Sequence, residues 1–246
     1  MTKMSRLKCL LFDKNDGYHP KYRSSRILHV NSSRYGESDM SDAARFWDKR
    51  AEKYALRPVS DTATYEKKLE LTRGYFRPDS DVLELGCGTG STALAHAPYV
   101  RHILATDISS AMIDIARRKA GAENIENVTF ETRAAADHDL GESRFDVIMA
   151  HNLLHLLEDP AAAVTAACRG LKPGGVFVTS TACIGDMSWY FRLIAPVGRF
   201  FRLIPLVRVF TQAELRKYHV DAGFDIEHEW LPRKNAAVFL VAKKSA

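Results

Sequence analysis

A chain of 246 residues with 46% hydrophobic and 26% charged side chains has the composition of a globular domain. That length can bury one full α/β core, and no run of about 18 uncharged apolar residues marks a membrane span. The net charge of +5 invites a nucleic-acid reading, but its distribution opposes one: residues 1–34 carry eight Lys/Arg against two acids, leaving the remainder nearly neutral.

The first forty residues are polar and irregular, without the apolar core of a signal peptide, and are expected to be a basic, poorly ordered extension. The four cysteines, Cys9, Cys87, Cys168 and Cys183, share no metal-ligand or redox spacing. They suggest a reduced, cytoplasmic protein with no structural metal and no disulfide.

Ser41 is a plausible N-cap for a helix with Ala44, Trp47, Ala51, Tyr54 and Ala55 on one face, ended by Arg57-Pro58. A second helix is expected from about Ala63 to Phe76, followed by a Pro78-Asp79-Ser80 turn. The apolar run Val82–Leu85, interrupted by Glu84, reads as a short buried strand. It opens into glycines at alternate positions, Gly86, Gly88 and Gly90, with Cys87 and Thr89 between them. A helix, Ser91–Ala97, follows and stops at Pro98.

From there strands and helices alternate. Ile103–Thr106 is a strand ending at Asp107; Ser109 or Ser110 caps a helix carrying Met112, Ile113, Ile115 and Ala116, which Gly121 stops. Val128–Phe130 and Phe145–Ala150 are further strands. Asp159-Pro160 opens an alanine-rich helix running to Gly170. Pro173-Gly174-Gly175 turns into a strand over Val176–Thr181. Thr211 and Glu214 form a capping box, and two strands near 224–231 and 236–242 close the chain as an antiparallel pair. The pattern predicts an α/β fold with a mostly parallel sheet covered on both faces.

Strand, glycine turn and helix together bring backbone N–H groups close to a small ligand. The spacing narrows the ligand. A dinucleotide fingerprint is Gly-x-Gly-x-x-Gly, and a phosphate-binding Walker loop needs Gly-Lys-Ser/Thr. This chain has neither: it reads Glu84-Leu85-Gly86-Cys87-Gly88-Thr89-Gly90. In that motif it resembles the class I S-adenosylmethionine (SAM) methyltransferases of the small-molecule type, over about Phe46–Lys244.

The resemblance implies a Rossmann-like, doubly wound sheet of seven strands, ordered 3-2-1-4-5-7-6, with a closing antiparallel hairpin. It also implies a methyltransferase domain over 41–246, with a helical lid at 41–77 and an apolar cap at 183–210. The cofactor is expected to be SAM. The residues expected to hold it are Glu84, Leu85, Gly86, Cys87, Gly88 and Gly90 in the turn, Asp107 on the ribose, and Ile108, Met112 and Ala135 around the adenine. His151 and Tyr54 are expected beside the methionine end. For several of these the residues alone leave a second reading open: Asp107 as a helix cap, Ile108 and Met112 as core, Trp47 and Tyr54 as helix packing. The acid the family carries after its third strand aligns with Ala134, so Asp137 or the Ala135 backbone would serve instead.

No catalytic residue is assigned; His151, His155 and Tyr54 are the candidates, and a structural role is open for each. The cap, Trp189 to Phe210, mixes aromatics with Arg192, Arg199, Arg202 and Arg208. It suits a small apolar or amphipathic acceptor, simple packing onto the domain, or a peripheral membrane contact. Two alternatives stand beside the small-molecule reading: methylation of protein or RNA, and a silent SAM-binding interaction module. Near-neutral charge and the absence of an Asn/Asp-Pro-Pro-aromatic loop after the fourth strand weigh against a macromolecular acceptor.

Overall fold

The computed structural model describes residues 37–135, 137, 139–187 and 206–245. The expected N-terminal extension lies almost wholly outside the described residues, as do residues 188–205 of the expected cap. The chain order is α1 (Glu37–Asp48), α2 (Ala51–Ala55), α3 (Thr62–Arg73), β1 (Asp81–Leu85), α4 (Ser91–His96), β2 (His102–Asp107), α5 (Ser110–Glu123), β3 (Val128–Thr132), β4 (Phe145–His151), α6 (Pro160–Gly170), β5 (Leu171–Thr181), α7 (Ile184–Met187), α8 (Gln212–Asp221), β6 (Phe224–Trp230) and β7 (Val238–Lys244).

The seven strands form one sheet in the order β3-β2-β1-β4-β5-β7-β6. The first five are parallel to their neighbours; β7 pairs antiparallel with both β5 and β6. The expected order is therefore observed. The central strands are buried on both faces, which explains why β1 and β4 read as continuous apolar runs rather than as alternations.

One face packs Leu83, Ile148, Phe177 and Leu240 against Val164 of α6 and Leu215 of α8. The other packs Val82, Val147, Met149, Val178 and Phe239 against Ala93 and Leu94 of α4 and Ile113 and Ala116 of α5, with Leu71 of α3 at its margin. At the N-terminal edge, Asp146 accepts from Arg77, Lys172 and the Asp81 N–H. The strand ends opposite are left to build the site.

Several local expectations are corrected. The first helix begins at Glu37, so Ser41 lies inside it and is not its cap. It breaks after Asp48, and Ala51, Tyr54 and Ala55 fall in the separate α2. Gly121 lies within α5, which instead ends on Asn124 in the left-handed conformation. β5 begins at Leu171, so Pro173-Gly174-Gly175 is an irregularity inside the strand, matched by a register shift between Phe145 and Val147. The local signals were sound there, but pairing with β4 carried the strand across them.

Candidate active site

The strand order reverses between β1 and β4, so their C-terminal ends part at a crevice, the usual ligand position in open α/β sheets. The glycine turn fills the β1 side. Gly86 and Gly90 have φ of 66° and 77°, backbone that side chains rarely adopt. Their environments forbid a side chain as well. A Cβ on Gly86 would stand 2.8 Å from Leu153, and one on Gly90 2.8 Å from Ala116 and 2.9 Å from Phe130. Gly88 differs: a Cβ there would meet only the Tyr54 ring, at 3.7 Å. Gly90 thus serves close helix packing, while Gly88 keeps open the space under Tyr54.

Asp107 ends β2 and holds this turn in place. Its Oδ2 accepts the Gly88 N–H at 2.9 Å and its Oδ1 accepts the Ser109 N–H at 2.9 Å. Ser109, not Asp107, is the N-cap of α5, its hydroxyl accepting the Met112 N–H at 3.2 Å, so the capping reading of Asp107 is corrected. The Cys87 N–H donates to the Thr106 carbonyl at 2.9 Å, which ties the turn to β2. Leu85 and the Cys87 side chain are buried, so only backbone from these two can face a ligand.

Glu84 is 2% exposed. Burial first, and repulsion from Asp107 second, push its pKa up to about 8, against the pull of the Ala93 N–H. Its Oε2 has no hydrogen-bond partner. A buried carboxyl oxygen without a donor is costly unless a ligand supplies one. Burial also raises Asp107, with the Ser109 and Gly88 N–H groups opposing it and Asp48 adding repulsion.

Tyr54, on α2, stays 44% exposed while its ring covers Gly88. Desolvation, then Asp107, raise its pKa. Trp47 meets it edge to face at 6.5 Å. Met112 is 2% exposed and packs with Ala51 and Ile115, the core alternative. Ile108 remains partly exposed at the end of β2. Asp137 is exposed and bonded to the Arg133 guanidinium at 3.1 Å. Ala135 is partly buried against the core.

His151 ends β4 on the far side of the crevice. Burial, aided by the Lys68 charge, lowers its pKa to about 4, so the imidazole is neutral at neutral pH. His155 lies in the turn after β4; burial lowers its pKa to about 4, and its Nδ1 has no partner.

Two contributors have no sequence signal of their own. Asp48, at the end of α1, accepts from Ser109 Oγ at 2.6 Å and from the Ala111 N–H at 3.1 Å, tying α1 to the start of α5 beside Asp107. Lys68, on α3, donates to Ser180 Oγ of β5 at 2.7 Å. Both pairings span tens of residues, beyond any local pattern. Among the described residues, no cluster of His, Cys, Asp and Glu has metal-binding geometry. No helix there is long and apolar enough to cross a membrane.

Sheet order, acid-led glycine turn and strand-end acid together define a class I methyltransferase fold. A family model described as a methyltransferase domain matches residues 82–175. The uncharacterized methyltransferase YcgJ of Bacillus subtilis is 33% identical over 102 residues, 42% of this chain and 40% of that protein. The ubiquinone biosynthesis O-methyltransferase of Thiobacillus denitrificans is 28% identical over 193 residues, 75% of this chain and 80% of that one. The geranyl diphosphate C-methyltransferase of Streptomyces coelicolor superposes with a TM-score of 0.65 at 16% identity, covering 83% of this chain and 97% of its own. The matched segment and these relatives support a class I SAM-dependent methyltransferase, and the structural likeness shows that fold.

Proposed function

We propose that the chain binds SAM and transfers its methyl group to a small apolar or amphipathic acceptor. The observation that carries the cofactor is a pair of acids: the buried Glu84 and the partly exposed Asp107 flank a glycine turn whose middle residue leaves space for a ligand. They suit a ligand with ribose hydroxyls at one end and an ammonium at the other. Asp107 would accept the hydroxyls, Glu84 would meet the ammonium with its unpartnered oxygen, and Tyr54 would cover the turn. SAM supplies a methyl group on an already activated sulfonium. The chain's residues align the acceptor and exclude water.

A small acceptor is supported by the Thiobacillus relative, whose name places it in ubiquinone biosynthesis, and by the near-neutral charge outside residues 1–34.

Calorimetry with SAM and S-adenosylhomocysteine tests the cofactor. Stoichiometric binding is expected, and Asp107→Ala should weaken it by about 1.5–3 kcal/mol, the scale of a hydrogen bond to a charged group. No binding by the wild type would remove the reading. Labelled SAM incubated with fractionated lysate tests the acceptor; label confined to protein or RNA would overturn the small-molecule assignment.

A further inference from the structure

The two acids of the crevice set a direction along the sheet. Glu84 lies at the end of β1, Asp107 ends β2, and β3 is the next strand outward. Neighbouring strands lie about 4.8 Å apart, so a nucleoside whose ribose meets Asp107 carries its base over the end of β3. Asp107 and Thr132 are register partners, and the Arg133 N–H donates to the Asp107 carbonyl at 2.8 Å. The segment that follows β3 therefore stands beside the strand-end acid.

That segment turns its polar groups on itself. The Arg133 guanidinium runs along the loop, Nε donating to Asp137 Oδ2 at 3.1 Å and Nη2 to the Asp139 carbonyl. Asp137 is exposed, and its N–H donates to the Ala134 carbonyl at 3.0 Å. Asp139 is exposed as well and accepts the Gly141 N–H at 3.3 Å. Between Arg133 and Asp137 the described residues are Ala134 and Ala135, both partly buried and without a side-chain acceptor. On the β2 side, Ile108 adds partly exposed apolar surface, while Met112 packs into the core with Ala51 and Ile115. Among the described residues at this end, the side chains left for a base are apolar, and both acids of the loop are engaged within it.

We infer that this site holds its purine by the ring and does not select for the amino group at C6. The inference rests on the cofactor reading above. An exocyclic amino group is a donor, so selecting for it takes an acceptor beside the base, and a carboxylate is the strongest. Such an acceptor discriminates sharply, because it is left buried and unpaired when the amino group is missing. Ala134 and Ala135 offer instead apolar contact and backbone N–H groups, which pair with ring nitrogens and not with another donor. The ligand class is therefore a purine nucleoside thioether of homocysteine, whatever small group stands at C6. Ala134 is the specificity-determining position, since an acid there would supply the acceptor that the loop withholds.

Calorimetry on the full chain compares S-adenosylhomocysteine with its purine-riboside analogue, in which hydrogen replaces the amino group at C6. The wild type should bind the two within about fivefold of each other, the scale of one neutral hydrogen bond. An analogue weaker by more than that overturns the inference, because some group then accepts from the amino group. Asp137→Asn should keep both affinities; a loss confined to S-adenosylhomocysteine would make Asp137 the acceptor and overturn it too. Ala134→Asp should create a preference beyond about fivefold for S-adenosylhomocysteine. Where that variant binds neither ligand, Ala134→Asn takes its place. Equal binding of both ligands by the substituted chain would put the base elsewhere and overturn the assignment to Ala134. Failure of the wild type to bind S-adenosylhomocysteine would instead remove the cofactor reading beneath it.

Discussion

Two glycines of the turn, Gly88 and Gly90, have separable duties, and alanine at each should expose them. At Gly90, a Cβ meets Ala116 and Phe130 at 2.8 and 2.9 Å, contacts too short to stand. The backbone there is left-handed, at φ 77°. Left-handed backbone costs about 1–2 kcal/mol for a side-chain-bearing residue. Displacing α5 or the Phe130 ring adds about 1–3 kcal/mol of overpacking. Gly90→Ala should therefore lose about 2–5 kcal/mol in urea unfolding, a large share of a domain's total stability. At Gly88 the added methyl makes ordinary contact with Tyr54, so only the backbone cost of about 1–2 kcal/mol applies. That variant should remain folded and lose S-adenosylhomocysteine binding, since the methyl occupies the ligand's approach. Gly121, inside α5 with open space around it, is the control. Gly121→Ala should gain about 0.5–1 kcal/mol from helix propensity alone. Urea melts and calorimetry on all three decide the matter. Equal losses at Gly88 and Gly90, or unimpaired binding by Gly88→Ala, would refute the division of roles.

Three further outcomes follow from the same geometry. Glu84 has its pKa raised to about 8, so its contribution to stability is fully present below the ordinary carboxylate range and is lost as pH rises through about 8. Urea midpoints of the wild type should fall between pH 5 and pH 9 more steeply than those of Glu84→Gln; parallel curves would contradict a buried, protonated Glu84. A cation placed beside Glu84 would ionise it, so S-adenosylhomocysteine binding near pH 7 should release a proton, read as a buffer-dependent calorimetric enthalpy that Glu84→Gln loses. Asp48→Ala removes the α1 acceptor of Ser109 Oγ and the Ala111 N–H. It should cost about 1–2 kcal/mol, the scale of a lost cap, and speed proteolytic cleavage between α1 and α3; unchanged cleavage would mean the helices are held elsewhere.

What could be read in advance follows the range of each interaction. β1 and β4 are near-continuous apolar runs because both faces of each are covered, and that pattern is local. The glycine turn and Asp107 are local too, being bound by chain spacing to the strand they follow. Sheet order came with the resemblance, since periodicity alone does not order strands. The break between α1 and α2 was hidden because Ala44, Trp47, Ala51 and Ala55 keep a helical spacing through it; only the turn at 49–50 interrupts. Gly121 looked like a helix stop, yet the actual stop is Asn124, whose left-handed φ of 54° a sequence does not announce. Asp48 with Ser109 and Lys68 with Ser180 are pairings 61 and 112 residues apart. Each member alone is an ordinary polar residue on a helix or strand, and only the fold gives it a partner.

Asp48 ties the end of α1 to the start of α5 beside Asp107. Ser109 receives two acids at once: its N–H goes to Asp107 and its hydroxyl to Asp48. The same serine caps α5 through the Met112 N–H. One residue thus joins the strand-end acid, the first turn of α5 at Met112 and the end of α1. On the other side of α5, Met112 and Ile115 carry Ala51 of α2, and Tyr54, three residues on, covers Gly88. The consequence is geometric. Asp107 accepts the Gly88 and Ser109 N–H groups together, and Ser109 in turn bonds Asp48 at the end of α1. The end of α1 and the strand-end acid thus share one anchoring residue. A Ser109→Ala chain keeps the backbone N–H to Asp107 and loses the hydroxyl bonds to Asp48 and to the α5 cap. That change alone separates lid anchoring from turn positioning, because the Asp107–Gly88 bond is untouched by it.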